Sequence, residues 1–184
     1  MSSDFAAALW VPADPSNFRT AQRAPMDIKN IVIHETDGHP EAQGTADMFA
    51  TPVLKRLPPI ASSAHFIVGN DGAIIQSVRI KDIAYHAHSA NASSIGIEHC
   101  ARAAGEWGPS DPGLPASTAQ LAASAILTAY LCRACGLPPD RVTIQGHCEI
   151  DKATTHTHCP IACIDLDAYV AQVAVEYGRL IPCG

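Results

Sequence analysis

"DIKNIVIHE", residues 27–35, is the stretch on which the fold turns. Its centre is apolar and β-branched, which suits a pleated, buried strand. Side chains alternate across a strand, so Ile31 and Ile33 share one face while Val32 and His34 take the other. His34 therefore emerges at the end of a buried strand, an imidazole carried on a rigid element.

Working outward, "GTADMFATPVLKR" (44–56) has helical spacing. "SAHFIVGN" (63–70), the turn at Asp71 and Gly72, and "AIIQSVRI" (73–80) predict a hairpin, because Asp-Gly between two alternating apolar runs favours a tight turn. "SSIGIEHC" (93–100) and "RVTIQGH" (141–147) each predict a further strand, the latter ending on His147. Ser117 and Gln120 form a capping box ahead of an apolar run, and Gly136 with Pro138 and Pro139 stops it, so a helix is expected over 118–135. Asp165 caps a last helix that runs to about Leu180. "GPSDPGLP" (108–115) reads as a surface loop. The expected fold is α/β: a single domain over 1–184, with its motif-bearing core at about 28–180, built as a central mixed β-sheet flanked by helices.

Composition narrows the function. A chain of 184 residues with 47% apolar and 16% charged residues is ordinary for a globular protein. A net charge of −6 with scattered Lys and Arg argues against nucleic acid or an anionic surface as partner. No apolar run approaches the roughly 18–20 residues of a spanning helix. The start "MSSDFAAALWVPADP" lacks a basic n-region and a long apolar core, so synthesis in the cytoplasm without a signal peptide is expected, with no membrane partner and a monomeric state. Seven cysteines are an odd number, so at least one stands outside any intrachain disulfide. Cys132 and Cys135 lie on one helix face and read as reduced thiols, while Cys163 and Cys183 would bridge the last helix to its approach loop in an oxidising compartment.

The chemistry gathers at strand ends. In "IGIE" Ile95 and Ile97 face the core, while Gly96 and Glu98 share the opposite face, where the glycine leaves room beside the carboxylate. His34, His147 and Glu98 at strand ends suit a catalytic zinc site, which takes three protein ligands and keeps a position open. "THTHCP" (155–160) offers His156, His158 and Cys159 as further ligands, and three so closely spaced cannot all face one ion. The residues alone leave that choice open.

"IVIHET", "SSAHFIVGNDGAIIQ", "AYHAH", "NASSIGIEHC" and "GHCEIDKATTHTHCP", in this order, resemble the zinc-dependent N-acetylmuramoyl-L-alanine amidases, a family that also holds the peptidoglycan recognition proteins. The resemblance covers about residues 28–180 and implies Zn2+ held by His34, His147 and Cys159. It implies hydrolysis of the amide between the lactyl group of N-acetylmuramic acid and L-alanine, in peptidoglycan or muropeptides, with a lytic or wall-remodelling role. Ala64 stands where some members carry a tyrosine, so the proton shuttle falls to Glu98. Thr157 stands where others carry a lysine and would assist the oxyanion, with Lys152 as the alternative. Tyr85 and His86 are expected along the substrate groove, and His65 either lines it or supports the core. The interval from His147 to Cys159 is longer than in the family's compact loops, so residues 150–156 are expected to bulge. A non-catalytic wall-binding module and a zinc peptidase of ordinary peptides are the competing readings.

Overall fold

The structure, a computed structural model, describes residues 2–180; Cys183 and its proposed bridge lie outside the described residues. The elements run β1 (Leu9–Trp10), β2 (Phe18–Arg19), β3 (Asn30–Glu35), α1 (Ala42–Ala50), β4 (Phe66–Val68), β5 (Ile74–Gln76), β6 (Ile83–Ala84) and β7 (Ser94–His99). They continue with α2 (Thr118–Cys135), β8 (Ile144–Gly146), α3 (His147–Ile150) and α4 (Leu166–Arg179). Six strands form one mixed sheet in the order β1-β5-β4-β7-β3-β8, and β2 pairs with β6 in a small antiparallel ribbon. Within the large sheet only the β4–β5 hairpin is antiparallel.

The strand alternation sorts residues as the sequence implies. Ile31, Ile33, Ile95, Ile97 and Ile144 pack beneath Leu127 and Leu131 of α2 and Tyr169, Val170 and Val173 of α4. On the other face Ala42, Ala46 and Phe49 of α1 pack with Ile67 and Ile75. The sheet is thus covered on both faces, as a largely parallel sheet requires.

Several boundaries differ from the sequence reading for local reasons. The first helix starts at Ala42 and stops at Ala50 rather than reaching 56, because Thr51 precedes Pro52 and takes an extended conformation. The strand expected over 141–147 is confined to 144–146, since Asp140 turns the chain by accepting hydrogen bonds from the backbone N–H of Val142 and Thr143 at 3.0 and 2.9 Å. His147 opens α3 instead of closing the strand. α2 spans the expected 118–135, with Gly136 in the left-handed conformation at its end. Its capping box is one-sided: Ser117 Oγ accepts from Gln120 N at 3.0 Å, but the Gln120 side chain donates to the carbonyls of Val68 and Cys100.

Ile97 is fully buried in the strand beside β3. Ile97→Ala should cost about 2–5 kcal/mol. Urea unfolding measures it, and a loss under about 1 kcal/mol would place the main core elsewhere.

Candidate active site

Parallel pairing of β3 with β7 sets His34 directly beside Glu98. Ile67 of β4 is the next residue across from Glu98. Both polar side chains therefore leave the sheet on the α1 face, at the floor of a cleft of about 560 Å³. His34 is 2% exposed.

The third and fourth groups come from the chain after β8. Gly146 lets this segment close up, since a Cβ there would meet Pro160 Cδ at 2.8 Å. His147 follows at once, and its ring centroid lies 4.6 Å from that of His34. Cys159 is held by two backbone contacts: Cys148 N–H donates to its carbonyl at 2.9 Å, and Glu35 N–H donates to its sulfur at 3.3 Å. One ligand atom each from His34, His147 and Cys159 lies within 4.8 Å of the other two, and all three residues are buried. Two imidazoles and a thiol so arranged are a donor set of the zinc type.

Residues 24–162 match the family described as N-acetylmuramoyl-L-alanine amidase. The chain belongs to the N-acetylmuramoyl-L-alanine amidase family. N-acetylmuramoyl-L-alanine amidase A of Achromobacter lyticus is 32% identical over 163 residues, covering 78% of this chain and 81% of that protein. The fold is shared with the catalytic domain of XlyA, at TM-score 0.65 and 20% identity over 90% of this chain and 98% of that one. It is shared also with AmpD, at TM-score 0.68 and 22% identity over 94% and 99%.

Around the donors of this amidase the electrostatics are those of a closed polar pocket. Burial holds His34 well below its ordinary value, the charges of His86 and His147 adding to the effect, so its ring is neutral with a lone pair to offer. Burial lowers His147 as well, and pushes the Cys159 thiol far up. Burial also raises Glu98 to about 8, with the charges of Asp37 and Glu35 acting in the same direction. Glu98 Oε2 is buried without a hydrogen-bond partner.

Other residues of the sequence reading fall differently. Gly96 leaves room not for the carboxylate but for His86, whose ring a Cβ at position 96 would meet at 2.6 Å. His86 Nδ1 thereby reaches His34 Nε2 at 2.9 Å, and both His86 and Tyr85 line the cleft. His65 does not line it: fully buried, it accepts the Gly96 N–H on Nδ1 at 3.0 Å and meets the Asp82 carbonyl through Nε2 at 3.2 Å. Burial and then the Arg23 charge lower it to about 3, so it stays a neutral brace for β7 rather than a groove residue. Thr157 and Lys152 are exposed outside the cleft lining, whereas His156 lines the cleft and stacks on His147 at 5.8 Å between centroids. In the bulged loop, Thr157 N–H donates to Thr155 O at 3.0 Å and Cys159 N–H to His156 O at 3.2 Å, a turn that sends Thr157 outward.

The "GPSDPGLP" loop is a surface loop, and its Asp111 holds Arg102, which steadies the cleft wall at Asp37 and Gly38. Arg102 donates to both oxygens of Asp111 at 2.8 and 2.9 Å and to Gly38 O at 3.0 Å, and its guanidinium lies 3.4 Å over the Trp107 ring. Trp107 in turn donates to Asp37 O at 3.1 Å. The Arg–Asp pair alone was readable as a hint, but its span of nine residues matches no regular element. These bonds fix Asp37 and Glu106, both cleft residues, on neighbouring loops.

The hydrogen bonds from Arg102 hold the Asp111 carboxyl down to about 2. A carboxyl lowered on folding stabilises above its unfolded value near 4 and loses that contribution only as pH falls through its folded value. The wall should stay clamped at pH 3. Carboxyl NMR of Asp111 should show a midpoint near 2, and a midpoint near 4 would mean the clamp is open in solution.

Proposed function

We propose that this amidase cleaves the bond between the lactyl carbonyl of N-acetylmuramic acid and the nitrogen of L-alanine, in peptidoglycan or muropeptides, with zinc held by His34, His147 and Cys159. The observation that carries the reading is the buried His–His–Cys group at the floor of the cleft, with the unpartnered Glu98 carboxylate oxygen on the adjacent strand. Zinc bound there would polarise the scissile carbonyl and lower the pKa of a water from about 16 toward 7.

The chain's own groups supply the rest. Glu98 takes a proton from the attacking water through Oε2 as the new C–O bond forms. It then gives that proton to the alanine nitrogen as the C–N bond breaks, since an amide nitrogen leaves poorly unless protonated. Burial raises the proton affinity of the Glu98 carboxyl, and a cation held beside it would draw it back toward the ionised form that the base role needs. His86 fixes the His34 ring, and Tyr85 offers an aromatic wall to the glycan or peptide. We assign the second donor to the oxyanion to His156 rather than Thr157, on its position in the cleft and its stacking on His147. We read the biological role as wall lysis, with release from the cytoplasm through a membrane pore made by another protein.

Zinc should co-purify at one equivalent per chain, and chelation should abolish alanine release from purified peptidoglycan until zinc is restored; full activity of metal-free protein would end the zinc mechanism. Cys159→Ala should lose zinc far more than His156→Ala or His158→Ala, and equal losses would mean the third ligand is misassigned. Glu98→Gln should fold, keep zinc, and turn over slower by about 10²–10⁴-fold. Loss of zinc in parallel with activity would make Glu98 a ligand instead.

A further inference from the structure

The His34, His147 and Cys159 assignment leaves one carboxylate unexplained. Asp151 is 3% exposed, although the loop that it opens toward Cys159 is largely exposed. One oxygen, Oδ1, accepts the Ala153 N–H at 3.0 Å and starts the loop. The other, Oδ2, lies 3.4 Å from Nε2 of His147, one helical turn back, and 2.5 Å from Nδ1 of His88. His88 comes from a different segment, shortly after β6, and its side chain is 72% exposed. The result is a line from solvent inward: His88, Asp151, His147.

The two ligand histidines are treated alike. His34 Nε2 is engaged by His86, and His147 Nε2 faces Asp151. In each ring that leaves Nδ1 as the nitrogen free to meet a metal. An imidazole whose second nitrogen donates to a carboxylate is fixed in tautomer and orientation and is a more basic ligand.

We propose that Asp151 is a positioning residue that orients His147 for the metal, and that His88 holds Asp151 in place from the outer side. The proposal rests on His147 being a ligand, as in the zinc mechanism. The loop from Asp151 to Cys159 would then serve the metal at both ends, since Asp151 at its start supports the second ligand and Cys159 at its close is the third. The same three side chains, His88, His147 and Asp151, also lie close enough to hold an ion themselves. Asp151 Oδ1 is already taken by the Ala153 N–H, and Oδ2 is bonded to His88 and within reach of His147, so the carboxylate is occupied by protein partners, and that favours positioning.

The test is zinc affinity of metal-stripped protein, by competition with a chromogenic chelator, alongside the thermal midpoint of the same stripped protein. Asp151→Asn should weaken zinc about 10–100-fold, with the midpoint little changed and one zinc still bound at saturation. His88→Ala, an exposed change that keeps the test alive if Asp151→Asn misfolds, should weaken zinc several-fold. It should add little in the Asp151→Asn background, because it acts through Asp151. Thr155→Ala, in the same loop, should leave affinity unchanged. Parental affinity in both single variants overturns the proposal while leaving the His–His–Cys site intact. Loss of a second, separate zinc on Asp151→Asn overturns it in favour of a second metal site. Failure of the parent to bind zinc overturns it together with the zinc mechanism.

Discussion

The parallel ladder between β3 and β7 is the constraint on which the rest depends. It is the longest pairing in the sheet, six residues on each strand, and it fixes His34 beside Glu98 by backbone hydrogen bonds rather than by loops. A one-residue slip of either strand would turn its His34 or Glu98 into the apolar layer under α2 and α4 and bring its Ile33 or Ile97 out to the cleft. The register is held by those same isoleucines, which are fully buried. Core packing and active-site geometry are one arrangement here.

Around that ladder, space is as important as donors. Gly96 admits the His86 ring, and Gly146 admits the Cys159–Pro160 segment. Each vacancy brings an otherwise distant stretch of chain against the His34 and His147 side of the cleft. His65, just ahead of the strand next to β7, then secures Gly96 by its backbone N–H. His99 braces the same region from behind, reaching His34 O at 3.1 Å and Ser124 of α2 at 2.7 Å. His34, His86 and His147 thus gather on the cleft side of the ladder, while His65 and His99 brace its backbone.

Sequence patterning was informative wherever period and burial coincide. The runs around Ile31–Ile33 and Ile95–Ile97 declared their faces, and Ser117 with Gly136 marked both ends of the long helix. Contacts between distant segments were not legible. Nothing local tells that His86 reaches His34 across 52 residues, or that His65 turns inward while Tyr85 lines the cleft. In the loop after α3, which side chains face in depends on a turn set by backbone hydrogen bonds that leave no trace in composition. The pairing of Arg102 with Asp111 was not legible either, because its further partners, Gly38 and Trp107, lie elsewhere in sequence or carry no charge.

The clamp of Arg102 on Asp111 has an electrostatic corollary. With that guanidinium turned to Asp111 and to the Trp107 face, the described residues lining the cleft include Asp37, Glu41 and Glu106 toward its mouth and no lysine or arginine. A concave, partly dry surface of one sign focuses its field outward. Cations, a divalent metal among them, are drawn toward the floor, and polyanionic segments of a wall polymer are turned away from the mouth. Because the attraction acts over about a Debye length, near 10 Å at 0.1 M salt, capture of a positively charged group should be fastest in dilute buffer and fade as ionic strength rises.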